Sequence, residues 1–336
     1  MESSLLSKLA SSLPVPSVQE MVEKGIRQVP LRYVRPVQDP VIISTADAES
    51  SPQLPIIDME RLTSPDFMGP EELERLDRAC KDWGFFQLIN HGVNSLLVEK
   101  VKNGIEEFFN LPIDEKMKYK QLPGEIEGYG QAFVVSENQK LEWADMFAFY
   151  TLPTHIRKPY LLPMFPLQLR EGIEAYAVEL EKLALKLLEY MAKALKMDAN
   201  EMRAVFEGGL QAMRMNYYPP CPEPDLSPMF PPGGLPSFVI LLQVNEVEGL
   251  QIKKDGRWVA IKPLSDAFLV NVGDSLEIVT NRIYKSIEHR ATVNSVKERL
   301  SIGTFYSPNL DREIGPASSL ISKRIPIAKG LPSSFK

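Results

Sequence analysis

The chain has little of the chemistry that builds disulfide scaffolds or clustered metal sites: its 336 residues include only two cysteines, Cys80 and Cys221, and three histidines. Cys80 falls inside a helical pattern and Cys221 in a proline-rich turn. Free thiols are therefore expected, which suits a reducing compartment, and the chain reads as cytosolic. There is no excess of basic residues. With a net charge of -6, the chain lacks the basic stripe that neutralises phosphates, so nucleic acid is not an expected partner. No long apolar run is present either. No stretch approaches the roughly 18 apolar residues of a membrane span, and the opening "MESSLLSKLASSLPVPSVQEMVEKG" has no basic region followed by an apolar segment, so neither membrane nor leader is expected. No repeat recurs at a fixed period, which excludes a solenoid or propeller. What is present, 44% hydrophobic and 24% charged residues, is enough to bury a large core.

The pattern divides the chain by texture. Residues 1–52 hold scattered prolines and the polar run "STADAESSPQ"; they read as an arm with one short helix near "VQEMVEKG". Residues 53–155 open with a short strand at Leu54, Ile56 and Ile57. A helix follows, with Leu73, Leu76, Ala79, Cys80 and Trp83 at three- and four-residue intervals, led by Pro70 and two glutamates in its first turn. The strand "FFQLIN" and a second helix over about residues 95–110 come next. Residues 156–210 carry the longest helix, whose stripe of Ile173, Ala177, Leu180, Ala184, Leu187, Leu188, Met191 and Leu195 marks it as a support. From 211 to 311 the texture becomes short β runs between turn signals, with "KKDGR" as an Asp-Gly hairpin. A short tail, 312–336, completes the chain. Helices first and strands later indicate an α+β fold, with helices packed on one outer face of a β sandwich or barrel.

Three late features can meet. In "YKSIEHRATV" strand alternation sends Ile287, His289 and Ala291 to one face, and in "RLSIGTFY" it puts Arg299 and Ser301 on one face. A guanidinium fork with a neighbouring hydroxyl suits a carboxylate. Asn216 and Tyr218, two apart on an earlier strand, can reach the same anion. Spacing alone also fits blander roles: a satisfied core histidine, a salt-bridged arginine, a solvated serine. His91 in "INHGV" reads as a turn residue, and His155 in a proline-flanked loop carries no signal.

Beyond spacing, the stretches "DWGFFQLINHGV", "LEWADMF", "MNYYPPCPEPDL", "ILLQVNEVEGLQIKKDGRWV", "VNVGDSLEIVTN" and "YKSIEHRATVNSVKERLSI" resemble the plant Fe(II)- and 2-oxoglutarate-dependent dioxygenases. The similarity is to the branch with codeine demethylase-like and senescence-related members, and it runs from about residue 13 to 320. The resemblance implies a distorted double-stranded β-helix, or jelly roll, with flanking helices. It also implies Fe(II), 2-oxoglutarate and ascorbate as cofactors. His289 matches the distal iron ligand, Arg299 and Ser301 the pair that binds the far carboxylate of 2-oxoglutarate, and Asn216 and Tyr218 the lining of the same pocket. Phe133, Phe147 and Phe305 are expected to face an organic substrate. A monomer that hydroxylates or O-demethylates a small specialised metabolite follows from the same likeness.

One short segment departs from it. Family members carry His-x-Asp between "PPCP" and "ILLQ"; counting back from "ILLQ" finds Pro232 and Gly234 there, and counting forward from "DLSP" finds Met229 and Pro231. One iron ligand of three remains. Fe(II) is bound weakly by single imidazoles, and Glu223, Asp225 and Glu246, the nearest carboxylates, have no histidine two residues away. Three readings stay open: an oxidoreductase whose altered patch is a fault in the recorded coding sequence, tested by sequencing the transcript; a metal-free homologue that binds 2-oxoglutarate or another small ligand as a regulator; and a non-oxidative enzyme of the barrel cavity, for which no acid–base pair can be named.

Overall fold

The computed structural model describes residues 12–35, 53–66, 68–131, 134–162, 165–226, 238–309, 312–321 and 327–328. Its strands are β1 (Ile56–Asp58), β2 (Phe85–Ile89), β3 (Gly128–Gly130), β4 (Asp145–Leu152), β5 (Leu210–Tyr218), β6 (Phe238–Gln243), β7 (Leu250–Lys254), β8 (Arg257–Ala260), β9 (Phe268–Val272), β10 (His289–Ala291) and β11 (Arg299–Ser307). Eight form one sheet in the order β1-β2-β9-β6-β11-β5-β4-β3, and three form a second in the order β10-β7-β8. The crossovers between non-consecutive strands and the two facing sheets make the expected jelly roll. Ile252 and Val259 of the small sheet pack against Phe85, Leu241 and Leu269 of the large one, so the two sheets enclose an inner space.

Alternation along the strands assigns each face of the large sheet. Phe147, Met215, Ile302 and Leu242 lie side by side across β4, β5, β11 and β6 and join the core with Ile173, Ala177, Leu180 and Leu187 of the Leu167–Ala194 helix. Burying such side chains stabilises by roughly 1.5–3 kcal/mol each, which fixes the helix on this outer face. Here one expectation is corrected. Phe147 is fully buried and stacks on Phe108 with centroids 5.0 Å apart. It belongs to the helix-packed core, because one step along a strand reverses the face, and its neighbour Met146 takes the inner position opposite Asn216. Phe133 lies outside the described residues.

Propensity missed β3 and β4, which precede the long helix, and the Asp274–Val279 helix inside "GDSLEIVTN". The hairpin at Asp255 and Gly256 forms as expected, with both residues at positive φ (51° and 75°). Cys80 and Cys221 are free and buried.

The short helix Val18–Glu23 is held on the barrel by one carboxylate. Asp145 of β4 accepts from the backbone N–H of Val18 (2.9 Å) and Gln19 (2.9 Å) and from the Ser17 hydroxyl (2.7 Å). The Ser17 oxygen also accepts from Glu20 N–H at 3.2 Å, as an N-cap does. Asp145→Ala is expected to leave the Val18 and Gln19 N–H groups and the Ser17 hydroxyl without their acceptor and to cost about 2–3 kcal/mol. Urea unfolding measures it, and a loss under about 0.5 kcal/mol, the scale of an unremarkable surface change, would refute the clamp.

Candidate functional site

The antiparallel register of β5, β11 and β6 builds the inner face row by row. Arg299 is opposite Tyr218; Ser301 is flanked by Asn216 and Gln243; Gly303 by Arg214 and Leu241; Phe305 by Ala212 and Val239. The four residues expected to hold a carboxylate therefore do meet. Arg299, Ser301, Asn216 and Tyr218 are all buried, at 2%, 1%, 3% and 7% exposure. The Asn216 amide donates to the Ser301 hydroxyl at 3.3 Å.

Arg299 sets the electrostatics. One terminal nitrogen donates to Gln243 Oε1 at 2.9 Å, the guanidinium lies 5.0 Å from the centre of the Tyr218 ring, and its buried Nε has no hydrogen-bond partner among the described residues. Burial pulls its pKa below the ordinary value, while Tyr218 acts in the opposite direction. A buried guanidinium whose side-chain partners among the described residues, Gln243 and Tyr218, are neutral is costly unless an anion completes it.

Spacing did not reveal what shapes this position. Gly249, in the turn before β7, is where Arg299 passes: a Cβ there would lie 2.7 Å from Arg299 Cδ and 3.0 Å from its Nε. The glycine cannot retreat, because its carbonyl accepts the Thr292 N–H at 2.6 Å and a Cβ would also meet Thr292 O at 2.8 Å. Gly249→Ala is expected to push the guanidinium out of register and weaken 2-oxoglutarate binding by about tenfold or more. Calorimetry checks this, and an unchanged affinity would show that the fork tolerates the shift. Gln243 and Arg214 were legible in principle, since each keeps the two-residue alternation of a strand already recognised.

His289 enters from the opposing sheet. It pairs with Ile252 across β10 and β7, and its ring meets Phe85 of the large sheet edge-on at 5.3 Å. Its Nδ1 is 3.1 Å from the Ile287 carbonyl, a contact that requires the proton on Nδ1 and leaves Nε2 as the lone-pair nitrogen. Burial lowers its pKa, the Ile287 bond acts against that, and Arg214 lowers it further. It is thus held neutral, as a ligand histidine must be.

Iron, however, does not fit the residues present. Among the described residues no three His, Cys, Asp or Glu side chains come together in a way that could hold a metal ion. The sequence "SPMFPPGGLPS" at 227–237, which includes Met229, Pro231, Pro232 and Gly234 and lies outside the described residues, contains no histidine or acid. Glu223 is used elsewhere, accepting from Val29 N–H at 2.7 Å.

The remaining histidines lie outside this inner face. His91 stacks on Phe268 at 4.1 Å and accepts from Val93 N–H at 3.2 Å, while His155 is exposed in a short 3-10 turn. A surface cleft of about 530 Å³ runs beside His91, between Glu60 and Lys186. None of the inner-face residues lines it, and charges of both signs at its rim neutralise each other, unlike the uncompensated Arg299. No described helix is long and apolar enough to cross a membrane.

Residues 54–165 match the family described as non-haem dioxygenase in morphine synthesis N-terminal, and residues 209–308 match the 2OG-Fe(II) oxygenase superfamily. The oxoglutarate-dependent flavonoid 7-O-demethylase 1 of Ocimum basilicum is 51% identical over 322 residues, covering 95% of this chain and 84% of that protein. Thebaine 6-O-demethylase of Papaver somniferum is 50% identical over 332 residues, covering 97% and 91%. The solved structure of JOX2 in complex with 2OG, Fe and JA superposes with a TM-score of 0.81 at 36% identity, covering 94% of this chain and 89% of that one. A jelly roll matched along nearly its whole length by these relatives makes this chain a member of the 2OG-Fe(II) oxygenase superfamily, in the plant branch that includes the codeine and thebaine demethylases.

Proposed function

We propose that the barrel binds 2-oxoglutarate, its far carboxylate taken by the Arg299 fork and the Ser301 hydroxyl, with Asn216 and Tyr218 lining the same pocket. The observation that carries this reading is the buried Arg299 whose Nε lacks a partner among the described residues. Gln243 holds the guanidinium in place through one nitrogen and leaves the rest of the fork to the ligand. Phe305, half-buried on the same inner face, offers an apolar wall to a small organic substrate.

In the family, iron supplies the oxygen chemistry that turns 2-oxoglutarate into succinate and carbon dioxide while a metabolite is hydroxylated or O-demethylated. In this chain the protein's own groups perform the binding part: they orient the cosubstrate and keep His289 neutral. With one ligand of three, the chain as written binds without turning over. The protein acts as a cytosolic monomer, with ascorbate as the accessory reductant the resemblance implies for an iron-loaded relative. The test is calorimetric titration of the full chain with 2-oxoglutarate, with 2-oxovalerate and 2-oxobutyrate, which lack the far carboxylate, as controls. Binding that needs the far carboxylate supports the site, and no binding of 2-oxoglutarate overturns it.

A further inference from the structure

The chain ahead of β1 is fastened beside the Arg299 pocket. Residues 12–35 hold one short helix, Val18–Glu23, of six residues, too short to persist by itself in water. Its docking therefore depends on what it is tied to. At one end Asp145 of β4 takes the Ser17, Val18 and Gln19 donors, and the buried Lys116 ammonium donates to Gln19 Oε1 at 2.6 Å. At the other end Glu223 accepts from Val29 N–H at 2.7 Å, and the Leu226 carbonyl accepts from Arg35 N–H at 2.8 Å. Both of these acceptors lie in the segment that leaves β5. Between the two ends, Val18, Val29 and Tyr33 share a buried cluster with Trp143, Tyr218 and Cys221, apart from the helix-packed core. Tyr33 meets Trp143 edge-on at 5.5 Å, and the Trp143 indole N–H donates at 3.4 Å to the carbonyl of Pro220, two residues beyond Tyr218. Tyr218 thus belongs to the arm's cluster while its ring lies 5.0 Å from the Arg299 guanidinium.

We propose that residues 12–35 act as a strap whose docking is coupled to occupancy of the Arg299 pocket: 2-oxoglutarate tightens the strap, and the docked strap tightens 2-oxoglutarate. The inference rests on the assignment of Arg299 to that ligand. Tyr218 is the shared piece. With the arm docked, its ring is packed within the cluster and has one place against Arg299. With the arm released, that packing is lost to water, and ring and guanidinium gain alternative positions. A ligand that needs the guanidinium in one position binds the docked state better and pulls the equilibrium towards it. Linkage then requires docking of the arm to strengthen ligand binding by the same factor. The arm is suited to be the moving part, because hydrogen bonds at its two ends and a small apolar cluster open at lower cost than the central strands of the sheet.

The experiment is amide hydrogen exchange on the full chain, with and without saturating 2-oxoglutarate. The Val18, Gln19, Val29 and Arg35 amides, whose acceptors lie off the arm, should exchange about tenfold or more slowly with the ligand bound. The Ala199–Phe206 helix, which packs on the Leu167–Ala194 helix, should change by no more than about twofold, and an arm with a merely structural role would behave the same way. Asp145→Ala combined with Glu223→Ala loosens both ends and should speed arm exchange and weaken 2-oxoglutarate binding, each by about tenfold or more. Leu180→Ala, which weakens the helix-packed core instead, should leave that affinity within about twofold of the unaltered chain. Should the double variant not fold, exchange in the unaltered chain decides alone. Bound 2-oxoglutarate with unchanged arm exchange overturns the coupling and leaves the pocket assignment standing, as does full affinity in a double variant whose arm has loosened or an equal loss of affinity in Leu180→Ala. No binding by the unaltered chain, or binding that survives Arg299→Ala, overturns the pocket assignment and the coupling with it.

Discussion

Arg299→Ala is expected to abolish 2-oxoglutarate binding, with a loss on the order of 2–5 kcal/mol, or roughly thirtyfold to several thousandfold in Kd. The size follows from burial. At 2% exposure the guanidinium meets the ligand away from water, and truncation leaves a carboxylate facing a polar but neutral wall of Ser301, Asn216 and Gln243. Arg299→Lys is the sharper variant. It keeps the charge but loses the planar fork, and a substantial part of the loss should persist if the geometry carries the affinity. Calorimetry on folded protein decides the matter: equal affinity in wild type and Arg299→Ala refutes the assignment, and no binding by wild type refutes the cosubstrate reading altogether.

Restoring a His-x-Asp pair is expected to convert a chain that retains no stoichiometric Fe(II) and releases no succinate into one that does both. Two placements follow from the sequence, Met229→His with Pro231→Asp, and Pro232→His with Gly234→Asp. They differ by an odd number of residues, so in an extended segment they point to opposite faces, and only one should work. Each removes a proline and so returns a backbone donor to the segment. The measurements are anaerobic Fe(II) titration and succinate release under oxygen, with His289→Ala in the successful variant as the control that should remove the metal again. Tight Fe(II) binding and turnover by the unaltered chain would overturn the account of the site. Failure of both folded variants would place a further defect in the pocket or the short tail.

The alternation of "MNYY" and "RLSI" was sufficient to pair Asn216 with Tyr218 and Arg299 with Ser301, because a strand offers only two faces and a period of two cannot be misread once the strand is recognised. The resemblance put Phe147 in the pocket, and the register of β4 gives that place to its neighbour Met146. Alternation fixes relative faces; which face is inside depends on where the Leu167–Ala194 helix packs. β4 itself escaped notice because it lies among helices in sequence and joins the sheet only through distant partners on β5. Gly249 was invisible for a related reason. Its function is an absence of atoms, defined by an arginine fifty residues away.

What the sequence by itself determined was the α+β class of fold, which of Asn216, Tyr218, Arg299 and Ser301 share strand faces, and the absence of histidine and acid from 227–237, since these depend on local periodicity and on which side chains exist at all. Only the tertiary structure decided that Arg299 Nε has no hydrogen-bond partner among the described residues, that His289 comes from the opposing sheet, and that Arg214 stands beside Phe305. These are properties of desolvation and of contact across strands far apart in the chain, which no local periodicity reports.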